Sequence, residues 1–190
     1  MIKVFGDSHA TIFKNIKVNN FEIECKTISG ASIVGLPRKK SSLDVRNLII
    51  DYLKNKNPDY LILNFGQVDI DLGFYYKLVV QNRKFNKRKY IKKLIILYDI
   101  FINDILKYIC KSKLIICDIN PPSLKTKESC YKYTKKIVFS KKIKETLENN
   151  NKLIEKLEDI NVRTEFSECF NTYLKNYCEN NNIKFLNTFY

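Results

Sequence analysis

Two stretches of the chain, YLILNFG at 60–66 and KLIICDI at 113–119, are apolar without alternation. A strand with one wet face alternates apolar and polar residues. A strand that reads apolar throughout is covered on both faces, as in parallel sheets flanked by helices. Between the two runs, YIKKLIILYDIFINDILKYIC at 90–110 places apolar residues at 91, 94, 98, 101, 102, 105 and 109. That spacing predicts a strongly amphipathic helix.

The same alternation runs along the rest of the chain. IKVFG at 2–6 predicts a buried strand ending at Gly6, and EIECKTI at 22–28 predicts a second. SLDVRNLIIDYLKNK follows, with Leu43, Leu48, Ile49, Tyr52 and Leu53 at helical spacing. Ser41 or Ser42 is its expected cap, and Asn57-Pro58 its stop. A weaker helical pattern covers 134–157. TEFSECFNTYLKNYC at 164–178 carries Phe166, Phe170, Tyr173, Leu174 and Tyr177 on one face, with Thr164 as the expected cap. IKFLNTFY at 183–190 predicts a last strand. Strands alternating with helices predict an α/β fold with a mostly parallel, doubly wound sheet in the order 2-1-3-4-5.

The 190 residues are enough for one domain with its own core, and no internal boundary or repeat interrupts them. The first residues, MIKVFGDS, enter a strand pattern at once rather than a leader pattern, so a cytosolic setting is expected. No apolar run is long enough to span a membrane. The six cysteines include no C-x-x-C pair, and Cys25 and Cys117 fall inside strand-like runs. Reduced, mostly buried thiols are expected, and with His9 the lone histidine no metal site is. The net charge of +14 is mostly lysine spread along the chain, densest in NRKFNKRKYIKK at 82–93. Tyr90 and Phe85 lie among those charges, but no nucleic-acid motif does. Arg83, Lys84, Lys87, Arg88 and Lys89 are therefore read as a solvated face, and nucleic acid is not an expected partner.

Functional loops of such sheets lie at the carboxyl ends of the strands. Three of those ends carry unusual polar sequence: GDSH after the first, GQVDID after the third and NPPS after the fourth. Ser8, between a strand and a short helical pattern, would have an exposed oxygen in a positive backbone field. Ser8 or Asp7 could equally serve as a helix cap. SGASIVGLP at 29–37 offers Gly30 and Gly35, whose lack of a side chain lets a backbone N–H approach a substrate oxygen.

Together these blocks resemble the SGNH, or GDSL-type, hydrolases, a family of esterases and lipases. The resemblance runs from about residue 2 to 122 and implies a flavodoxin-like three-layer α/β/α sandwich. Gly6-Asp7-Ser8 matches the family's nucleophile block, so Ser8 takes the role of catalytic serine. Gly35 takes that of the oxyanion glycine, with Gly30 as the fallback. Gly66-Gln67-Val68-Asp69 matches the third block, and it looks like a branch of the family whose block reads Gly-Gln-Val-Asp. The family's asparagine is Val68 here, which donates no hydrogen bond. Gln67 could supply the amide from the neighbouring position, and Asp69 is expected to shape the loop. The implied substrate is an ester-bearing small molecule or an O-acetylated glycan, with no cofactor.

The family's fourth block, an Asp-x-x-His carrying the general base, has no match in the 190 residues. His9 is a poor substitute, because adjacent residues on a helix start point in different directions. Three readings stay open: an incomplete domain, a base from another chain, or a non-catalytic binding module for an anionic ligand or glycan. Each predicts a very slow or inert chain.

Overall fold

The structure, a computed structural model, describes residues 1–18, 20–79, 86–137, 155 and 157–189. Five strands, β1 (Ile2–Gly6), β2 (Ile23–Thr27), β3 (Tyr60–Asn64), β4 (Leu114–Cys117) and β5 (Lys184–Leu186), form one sheet in the order β2-β1-β3-β4-β5. Every pairing is parallel. The helices are α1 (Val45–Asn55), α2 (Phe74–Val79), α3 (Lys87–Ile105), α4 (Lys127–Ile137) and α5 (Ile160–Asn180). A 3₁₀ helix, Ser8–Asn15, follows β1.

The pleat divides the strand residues between two cores. Phe5, Leu61, Leu63, Leu114 and Ile116 face α1, α3 and α5, meeting Ile49, Leu94, Phe101, Phe170 and Leu174. Ile2, Val4, Ile62 and Cys117 face the other way, where Ala10 and Phe13 of the 3₁₀ helix cover them. This is the three-layer α/β/α arrangement that the alternation predicts. Lys3 is buried in β1 because its ammonium lies over the rings of Phe5 and Tyr52, at 4.9 and 4.7 Å, and pairs with Glu24.

The apolar stripe at 91–109 is buried at every expected position, although α3 itself ends at Ile105. Asn86 caps it by accepting the Lys89 N–H. Other boundaries differ from the sequence expectation. Leu43 is exposed and lies ahead of α1, and the Ser41 hydroxyl accepts the Asp44 N–H just before that helix. Thr164 is not a cap: α5 begins four residues earlier, and the Thr164 hydroxyl donates to the Ile160 carbonyl inside it. The first turn of α5, Ile160–Arg163, exposes Val162 and buries Arg163, the reverse of what their residue types suggest, and this hides the start in the sequence. β5 is only three residues long. Beyond it the buried Asp118 takes over, accepting the Thr188 N–H at 2.9 Å, the Thr188 hydroxyl at 2.7 Å and the Phe189 N–H at 3.0 Å. Most of the helical pattern at 134–157 lies outside the described residues. All six cysteines are free; Cys110 is exposed, and Cys117, Cys130 and Cys178 are buried.

Candidate active site

The chain leaves β1 toward β2 on one side and later places β3 on the other. The connections leaving the carboxyl ends of the adjacent strands β1 and β3 therefore run to opposite sides, and such a switch point opens a crevice. Two glycines make the approach possible. A Cβ on Gly6 would sit 2.5 Å from both the Ala10 Cβ and the Asn64 carbonyl oxygen. Gly66 has φ +128, and a Cβ there would meet the Phe170 ring at 2.9 Å.

Asp7 organises the first block. Its N–H donates to the Asn64 carbonyl at 3.2 Å, tying the block to β3. One carboxylate oxygen accepts the His9 N–H at 2.9 Å, capping the 3₁₀ helix; the other accepts the Val68 N–H at 3.4 Å. With Asp7 as the cap, Ser8 is the first helical residue and its side chain is exposed. His9 turns back, with Nδ1 3.0 Å from the same Asp7 oxygen that caps the helix. That hydrogen bond raises the His9 pKa above its ordinary value; partial burial opposes it, and the negative charges of Asp7 and Asp71 add to it.

The third block leaves β3 as a π-helical turn, Val68–Gly73, that runs into α2. Asp69, Ile70 and Asp71 are all buried in that turn. Asp69 accepts the Ile33 N–H at 2.6 Å and the Val34 N–H at 3.4 Å, so it fastens the loop after β2 to the loop after β3. Burial pushes its carboxyl up to about 7, against the lowering effect of those two N–H bonds. Tyr90 donates its hydroxyl to the Asp69 carbonyl at 3.3 Å. Asp71 pairs with Arg163 of α5, a guanidinium only 1% exposed that also donates to the Leu124 carbonyl.

These loops enclose a cavity of about 800 Å³. Ser8, His9, Gly30, Ser32, Val68 and Asp69 line it. Tyr76, Lys77, Tyr90, Leu124 and Tyr133 border its other side. Ser8 and Asp69 are thus brought together, and of the two candidate oxyanion glycines it is Gly30 that joins them. Gly35 does not line the cavity; its N–H donates to the Ser32 carbonyl at 2.9 Å and the Ser32 hydroxyl at 3.2 Å. Gly66 supplies the turn without lining the cavity. Gln67 is buried and does not line it, with both polar atoms of its amide unpartnered among the described residues, while Val68 does line it. The Asp7–His9 pair, Ser32 and the Asp71–Arg163 pair are not assigned by sequence reasoning. Only the run GDSH hints at the first, and nothing in the sequence hints at Arg163.

Among the described residues no three His, Cys, Asp or Glu side chains cluster as a metal site. Nor is any helix there long and apolar enough to cross a membrane.

The all-parallel sheet, its strand order and the crevice at the switch point define a doubly wound α/β/α protein with a cavity at its strand ends. The fold is similar to a crystal structure from Bacteroides fragilis NCTC 9343, of a "putative acylhydrolase". The TM-score is 0.50 at 13% identity, over 99% of this chain and 67% of that one. At that identity the likeness shows the fold. No protein-family model matches the chain, and no curated protein does.

Proposed function

We propose that the chain is an SGNH-type acyl-ester hydrolase domain with Ser8 as nucleophile. The observation that carries this reading is the position of Ser8. It stands exposed at the carboxyl end of β1, heads a 3₁₀ helix, and shares the cavity with the third block. Ser8 Oγ would attack an ester carbonyl, and the negative oxygen would be met by N–H groups of Ser8 and Gly30. The Ser32 hydroxyl is a further donor, since its oxygen already accepts the Gly35 N–H and its proton is left to give. Val68 in place of a side-chain donor costs on the order of 10²–10³ in rate, so turnover should be slow. The exposed ring of Tyr133 and the half-buried ring of Tyr76 offer apolar faces with polar tips, which suits the alcohol side of an O-acylated sugar.

A fluorophosphonate probe tests this reading, because it reacts with an activated serine. Peptide mass mapping should find the adduct on Ser8, and Ser8→Ala should abolish it. A chain that stays unlabelled at Ser8 under prolonged exposure refutes the nucleophile. The second reading, a binding module without chemistry, is favoured by one observation: Gly35, the expected oxyanion donor, spends its N–H on Ser32.

A further inference from the structure

The lone histidine of the chain sits one residue from Ser8 and is held by a carboxylate. We propose that His9, steered by Asp7, is the acid–base group of this cavity and drives deacylation of Ser8. The inference rests on the Ser8 reading above and adds the group that completes its turnover.

Three observations carry it. First, the His9 ring lines the same cavity as Ser8 and is 24% exposed, so water reaches it. Second, Nδ1 lies 3.0 Å from Asp7 Oδ1. An Nδ1–H given to a carboxylate leaves the Nε2 lone pair as the base, which is the division of labour in a serine–histidine–aspartate triad. Third, Asp7 cannot swing away. It is 1% exposed, and its two oxygens accept the N–H groups of His9 and Val68. The ring is therefore preorganised by the backbone of the GDSH run itself.

Neighbours along a helix start do not face each other, which is why the role falls on water. Once Ser8 carries an acyl group, Nε2 takes a proton from a water in the cavity. The water oxygen bonds to the acyl carbon. The C–Oγ bond then breaks, the carboxylic acid departs, and Ser8 Oγ recovers a proton from the imidazolium, relayed through solvent. Acyl-serine and water become acid and serine, with nothing else consumed. The charged groups acting on the ring are Asp7 beside it and Asp71 on the π turn, and Asp69 and Lys77 line the same cavity. The two carboxylates nearest it favour the imidazolium, so the base form appears only at higher pH.

The test uses the full chain with p-nitrophenyl acetate, whose leaving group departs with little help. Acetylation of Ser8 is followed by peptide mass, and loss of the acetyl group is timed after removing excess ester. His9→Ala should still acetylate at Ser8 but lose the acetyl group about 100-fold more slowly. Added imidazole should restore part of that rate. In the unchanged chain, deacetylation should rise with pH to a plateau, with a midpoint above the ordinary histidine value of about 6.5. Deacetylation of His9→Ala at the unchanged rate, or no response to imidazole, overturns the role of His9 and leaves Ser8 as nucleophile. No acetyl group on Ser8 in either protein overturns both.

Discussion

Asp69 makes a strong prediction because its environment opposes its charge. The carboxyl is 2% exposed and its pKa is pushed up to about 7. In the unfolded chain it titrates near 3.9. Between those values the folded state keeps a proton that the unfolded state has released. Stability from this group is therefore fullest below about pH 4, falls as pH rises toward 7, and is level above that. Each pKa unit corresponds to about 1.4 kcal/mol, so the whole loss is about 4 kcal/mol. About 3 kcal/mol of it should fall between roughly pH 4.5 and 7.5. Asp69→Asn is a near-isostere that does not titrate, and its amide oxygen can still accept the Ile33 N–H. Urea unfolding of both proteins across that range isolates the group, since other titrations cancel in the difference. The unchanged chain should lose about 3 kcal/mol relative to Asp69→Asn from the acid to the neutral end. A flat difference would refute the reasoning. A difference of opposite slope would mean that the Ile33 and Val34 N–H groups hold the carboxyl ionised despite its burial.

Two other perturbations follow from the same structure. Arg163→Ala should cost about 3–5 kcal/mol in denaturant unfolding, because it strands the buried Asp71 carboxylate; a change under about 0.5 kcal/mol would show that Asp71 takes up a proton or finds water at no cost. The basic stretch should bind duplex or single-stranded DNA only weakly near physiological salt. Lys87 is engaged with Glu158, and Tyr90 is buried beneath the third block rather than offered for stacking, while Arg83, Lys84 and Phe85 lie outside the described residues. Tight binding that collapses as salt rises would contradict this.

Strand and helix faces were legible in the residues because each follows a local period. The stripe at 91–109 and the runs at 60–66 and 113–119 need only the pleat and the helical turn to be read. The strand order followed from the same alternation, since parallel strands joined by helices have few topologies open to them. Ser8 and Asp69 could be singled out because glycine-bounded polar blocks at strand ends stand apart from the core pattern. Helix starts were less legible: the first turn of α5 carries Arg163, a residue type that reads as surface until a partner 92 positions away is found. The oxyanion role of Gly35 is implied only by the resemblance, and a motif match does not say where an N–H points. The Gly35 N–H goes to Ser32, Gly30 lines the cavity and Gln67 is buried; what grips a loop decides its course, and the loop after β2 is gripped at Ile33 and Val34 by the Asp69 carboxylate across 36 and 35 positions of chain. The ring of His9 follows the same rule. Its neighbour in sequence is Ser8, but a buried carboxylate with two N–H bonds fixes where the imidazole lies, and such contacts exist only once β1 and β3 stand side by side.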